Sequence, residues 1–117
     1  MALAPEDATR RIALQLAHVW MVRAFLKHSE EAQEDDEVAA IHRDLYDVML
    51  AVGPALHSGD GRQYLQVLAK KLGKLKRAAR AFSELQPQVS THTNFQMAVR
   101  SLAAAVDSIE AILGELN

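Results

Sequence analysis

Three segments of the chain carry apolar residues at alternating spacings of three and four without a slip, and this constrains the fold more than anything else in the sequence. The first stripe is Val38, Ile41, Leu45, Val48 and Val52. The second is Leu65, Leu68, Leu72, Leu75, Ala79 and Phe82. The third is Phe95, Val99, Leu102, Val106, Ile109, Leu113 and Leu116. At helical periodicity each set lies along one side of a helix. Stripes of this width pack helices side by side at a shallow angle. The expected class is all-α, as an antiparallel, up-down-up-down four-helix bundle.

Composition agrees. The apolar residues are mostly Ala and Leu and aromatics are 5%, which favours helix over sheet. A chain of 117 residues can bury a core without staples, so residues 1–117 read as one domain. The absence of Cys removes disulfides, thiolate chemistry and zinc–thiolate sites together. A net charge of −2 provides no overall field towards nucleic acid or membrane. No basic region followed by an apolar run opens the chain. The most apolar stretch, residues 12–26, contains His18 and Arg23 and is too short for a bilayer. The expected location is cytoplasmic, with no membrane partner.

Helices are expected at about 5–28, 36–53, 60–86 and 93–116. Pro5, Glu6 and Asp7 suit a helix start. Residues 30–37 hold six carboxylates whose mutual repulsion weakens a helix, so the first connection is placed there. One continuous helix through it is the alternative. Gly53-Pro54 should end or kink the second helix, and the third should close before Pro87. Asp60 with Gln63, and Thr93 with Gln96, read as capping pairs.

The first and fourth predicted helices carry more apolar surface than one bundle buries. In the first, Ala13, Ala17, Trp20 and Ala24 form a stripe besides the core one, and Leu14, Met21 and Phe25 form another interrupted by His18. The fourth has a back face of small residues, Ser101, Ala104, Ala105, Ser108 and Ala111, which invites a close backbone approach. Surplus apolar surface points to a partner, either a second copy or another helical protein. The expected interface residues are Trp20, Met21, Ala104, Ala105 and Ser108, with Trp20 at the centre.

The third helix carries a basic strip, Lys70, Lys71, Lys74, Lys76, Arg77 and Arg80. Such a strip can take an anion, an acidic partner or a phosphate backbone. It has no interleaved aromatic for base stacking, and the acids at 30–37 with Asp44 and Asp47 balance it. A solvated face, paired with the second helix or another subunit, is the favoured reading, and nucleic acid the less favoured one.

Metal and cofactor motifs are missing. The ferritin-like Glu-x-x-His pattern fails because Gln15, Phe25, Ala39, Pro54 and Val89 stand three residues before the five histidines. His42 with Asp47 matches one element of the hemerythrin pattern and nothing else does. Phosphotransfer domains are helical bundles too, but Met21 and Val22 follow His18 where their pattern needs Lys and Gly. No metal and no cofactor is expected.

One enzymatic alternative remains. Arg followed by His after four to six residues, as in Arg23–His28 and Arg11–His18, resembles the HEPN-type ribonucleases, which are all-α dimers. Ala24 and Ile12 follow the arginines where that family usually has a polar residue. The resemblance implies that Arg23 binds the scissile phosphate and His28 transfers a proton. The ordinary reading is Arg23 at the bundle rim and His28 as a helix-terminal cation. The leading expectation is a non-catalytic assembly module that self-associates or docks a partner through its first and fourth helices.

Overall fold

A computed structural model describes residues 3–116. Among them the chain is all-helical, with five helices: α1 (Pro5–Lys27), α2 (Glu30–Glu34), α3 (Asp36–Ser58), α4 (Gly61–Val89) and α5 (Thr93–Gly114). The four predicted helices are α1, α3, α4 and α5. The 29 residues of α4 span about 43 Å at the helical rise, which is the long dimension of the molecule.

The acidic run is neither a loop nor part of a long helix. Ser29 Oγ accepts from the Ala32 N–H at 3.4 Å and opens α2, while Asp35 Oδ1 accepts from the N–H groups of Glu37 and Val38 at 3.0 Å and opens α3. Glu30 and Glu31, and then Asp36 and Glu37, fall in the first turns of these helices, where the positive end of the backbone dipole stabilises carboxylates. Capping therefore resolves the repulsion that the spacing implies.

Other boundaries shift for physical reasons. α3 continues through Pro54 to Ser58, and α4 through Pro87 to Val89. Both prolines are exposed, so the carbonyls they leave unpaired can be hydrated. Gly59 ends α3 in the left-handed region at φ 79°, where a side chain would be strained. Asp60 accepts from the Gln63 N–H at 3.0 Å as expected, without the reciprocal Gln63 contact. At α5 the cap is His92, whose Nδ1 accepts from the Asn94 N–H, so Thr93 is the first helical residue and not the cap.

One contiguous core joins the four long helices. Val38, Ile41, Leu45, Val48 and Val52 are all buried, as are Ile12, Leu16, Val19 and Leu26. On α4 the buried set is Tyr64, Leu65, Leu68, Leu75, Ala78 and Phe82, with Leu72 and Ala79 half-buried. A straight helix drifts by about 20° per heptad against a strict 3.5 repeat, which moves burial onto Ala78. On α5 burial extends to Ala98, Ala105 and Ile112, while Val99 and Leu113 are half-buried. α5 packs against α1 and α4, and its small residues Ala98 and Ala105 lie on its buried side.

Neighbouring helices meet at several named points. Phe25 near the end of α1 makes an edge-on contact with Phe95 at the start of α5, at 4.9 Å between centroids. Arg11 near the start of α1 reaches Glu115 beyond α5 at 3.3 Å. Asp47 on α3 accepts from Lys71 and Lys74 on α4 at 3.2 and 2.8 Å, and Lys76 on α4 pairs with Glu110 on α5.

Candidate functional site

On α1, Trp20 and Arg23 are three residues apart; on α3, His42 and Tyr46 are four apart. Each pair therefore shares a helix face. α1 and α3 bring the two pairs together. Trp20 and Tyr46 lie 6.4 Å apart between centroids, and Arg23 Nη1 lies 3.3 Å from His42 Nε2. The guanidinium carbon of Arg23 sits 3.9 Å from the Trp20 centroid and 5.3 Å from that of Tyr46. The His42 and Tyr46 rings are stacked, with 7° between planes.

Arg23 is buried, at 6% exposure. No carboxylate pairs with it among the described residues, and its Nε has no protein partner. Its charge is met by the faces of two aromatic rings and by one imidazole lone pair. Arginine has no acceptor, so for Nη1 to donate, His42 Nε2 must carry the lone pair and Nδ1 the proton. Burial lowers the His42 pKa below its ordinary 6.5, and Arg23, Lys27 and Arg43 lower it further by charge repulsion.

Outward from this cluster the surface is apolar. Leu14 is 65% exposed, Met21 64% and Leu50 58%, and Leu56, Trp20 and Tyr46 are each two-fifths exposed or more. A groove of about 290 Å³ runs between α1 and α3, bordered by Ala17, Trp20 and Met21 on one side and Met49, Gly53 and Leu56 on the other. Tyr64 closes its floor. The Tyr64 hydroxyl is fully buried with no protein partner, and burial pushes its pKa up to about 12.

The expected interface residues divide. Trp20, Met21 and Ala104 are exposed and Ser108 is half-buried, but Ala105 is 1% exposed and belongs to the core. Its small side chain serves an internal close approach, not an external one. Among the described residues the large exposed apolar side chains lie on α1 and α3, apart from Met97 on α5. Tyr46, Leu50 and Leu56 were missed because the stripe of α3 is so regular that its outer face reads as ordinary surface.

The basic strip is partly neutralised. Lys71 and Lys74 share Asp47, which lowers the Asp47 pKa and raises that of Lys74, and Lys76 pairs with Glu110. Lys70, Arg77 and Arg80 are exposed. Arg23 is buried between helices instead of standing at a rim, and its partners are His42, Trp20 and Tyr46. His28 is exposed at the end of α1, where it borders a different cleft with Ser29, Ser90 and His92. Among the described residues no three His, Asp or Glu side chains gather as metal ligands, and no helix is long and apolar enough to cross a membrane. Comparison with family models, curated proteins and solved structures gives no match.

Proposed function

We propose that the chain is a single-domain, up-down-up-down four-helix bundle that works as a cytoplasmic, non-catalytic assembly module, pairing with a second copy of itself. The pairing face is that of α1 and α3, with Trp20 at its centre. One observation carries this reading. Of seven large apolar side chains exposed among the described residues, six (Leu14, Trp20, Met21, Tyr46, Leu50 and Leu56) are on these two helices.

Two further features favour a second copy as the occupant. The six side chains offer on the order of 600 Å² together, against about 800 Å² per partner in a stable interface. The face also has two ridges, Leu14–Met21 and Tyr46–Leu50, beside one groove whose lining includes the small residues Ala13, Ala17 and Gly53. A two-fold axis can seat a ridge of each copy in the groove of the other.

The test is a pair of charge insertions at exposed ridge positions, Met21→Glu and Leu50→Glu. Each should leave helicity and unfolding midpoint nearly unchanged and convert the assembly to monomer. Unaltered association in both variants would remove the α1–α3 face from the proposal. The ribonuclease alternative requires Arg23 and His28 to act on one phosphate, and Arg23 is engaged with His42 instead. Incubation of the protein with a mixed RNA pool checks it directly: cleavage abolished by His28→Ala would replace the assembly reading.

A further inference from the structure

The buried cation at Arg23 lies behind a second feature, a cleft where α1 ends against α2 and α3. Its volume is about 150 Å³, and its polar lining is Lys27, Gln33, His42 and Arg43. Three cationic side chains, Arg23, Lys27 and Arg43, thus act on one imidazole. Six carboxylates follow closely in sequence at residues 30–37, yet among the described residues none pairs with these three cations. Glu31 is held by Ser29 and Asp35 by the start of α3.

We propose that this cleft binds a small dianionic oxyanion, either inorganic phosphate or the phosphoryl end of a phosphomonoester. Lys27 and Arg43 supply charge and donors at its mouth. With Nε2 accepting from Arg23, His42 carries its proton on Nδ1, which is then the ring's donor to the anion. Arg23 stands behind the imidazole and adds a positive potential that burial leaves unscreened. The volume sets the size limit. Space for about five waters at ~30 Å³ each accommodates one tetrahedral oxyanion, and the remainder of a larger ligand must stay outside. The inference is independent of self-association, because Lys27 and Arg43 lie beyond the apolar ridges.

Trp20 is the chain's single tryptophan and lies against Arg23, so its emission reports on the site. Tag-free protein is titrated with inorganic phosphate, glycerol phosphate and acetate at constant ionic strength, with calorimetry in parallel. The expected result is saturable binding of the phosphates with a Kd of about 1 mM or tighter, and none of acetate. Glycerol phosphate binding much more tightly than phosphate would identify the phosphomonoester as the source, and equal affinities the free ion. The double variant Lys27→Gln/Arg43→Gln, at two exposed positions, should weaken binding by at least about tenfold with the fold intact. Absence of saturation in both readouts, or an affinity unchanged in the double variant, overturns the proposal. Solution mass measured on the same samples separates this result from any change in assembly.

Discussion

The Arg23 guanidinium packs on the Trp20 ring at 3.9 Å, so the one buried cation among the described residues is covered on the outside by the residue placed at the centre of the apolar face. The same side chain thus connects the interior of the α1–α3 seam with its surface. Trp20→Ala should expose Arg23 to water and remove the central anchor. The expected effect is association weaker by roughly 30-fold, a loss of about 2 kcal/mol. Far-UV circular dichroism should be unchanged, because the core stripe of α1 is untouched. Trp20→Phe should retain most of the association.

Arg23→Met keeps the volume and removes a buried charge that has no carboxylate. In phosphate-free buffer the variant should be as stable as the parent or up to about 2 kcal/mol more so. Phosphate at ten times the parent's Kd should add about 1.4 kcal/mol to the parent and less to the variant, which keeps Lys27 and Arg43 but loses the potential behind His42. Urea unfolding midpoints in the two buffers check both statements, and a variant several kcal/mol less stable would contradict the first.

Tyr64 has a buried hydroxyl that costs desolvation without a protein hydrogen bond in return. Tyr64→Phe should therefore be neutral or stabilising by about 1 kcal/mol. A second consequence concerns alkaline pH. Since the folded-state pKa is about 12 and the ordinary value 10.0, the unfolded chain ionises first, and stability should fall as pH rises between these values. Tyr64→Phe should flatten that decline, which thermal melts across the range will reveal.

His42 behaves oppositely. Its folded pKa lies below 6.5, so below that pH the unfolded state binds more protons than the folded one. Its contribution is fully present above pH 6.5 and is lost as pH falls through the folded value. Stability should decline as pH falls below the ordinary value of 6.5 and through the lowered folded value, less steeply in His42→Gln. Bound phosphate should oppose the decline, since an anion beside the imidazole favours its protonated form.

Helix content was readable because it depends on local periodicity. Val38, Ile41, Leu45, Val48 and Val52 read as a core stripe and are one. The two N-caps at the acidic run were less readable, because Asp35 is itself one of the six carboxylates and Ser29 stands directly before them. The candidate site was least readable, since the meeting of Arg23 with His42 depends on the register of α1 against α3, which no spacing within either helix encodes. Ala105 illustrates the same limit. Small residues on α5 indicate a close approach, and only the packing shows that Ala105 lies in the core and not on an outer face.

The most direct test of the central claim is the absolute mass of tag-free protein by light scattering after size exclusion, over a range of concentrations. The assembly account predicts a species at about twice the 12.9 kDa chain mass that Met21→Glu and Leu50→Glu reduce to monomer. A wild-type chain that remains at 12.9 kDa at every concentration would contradict it.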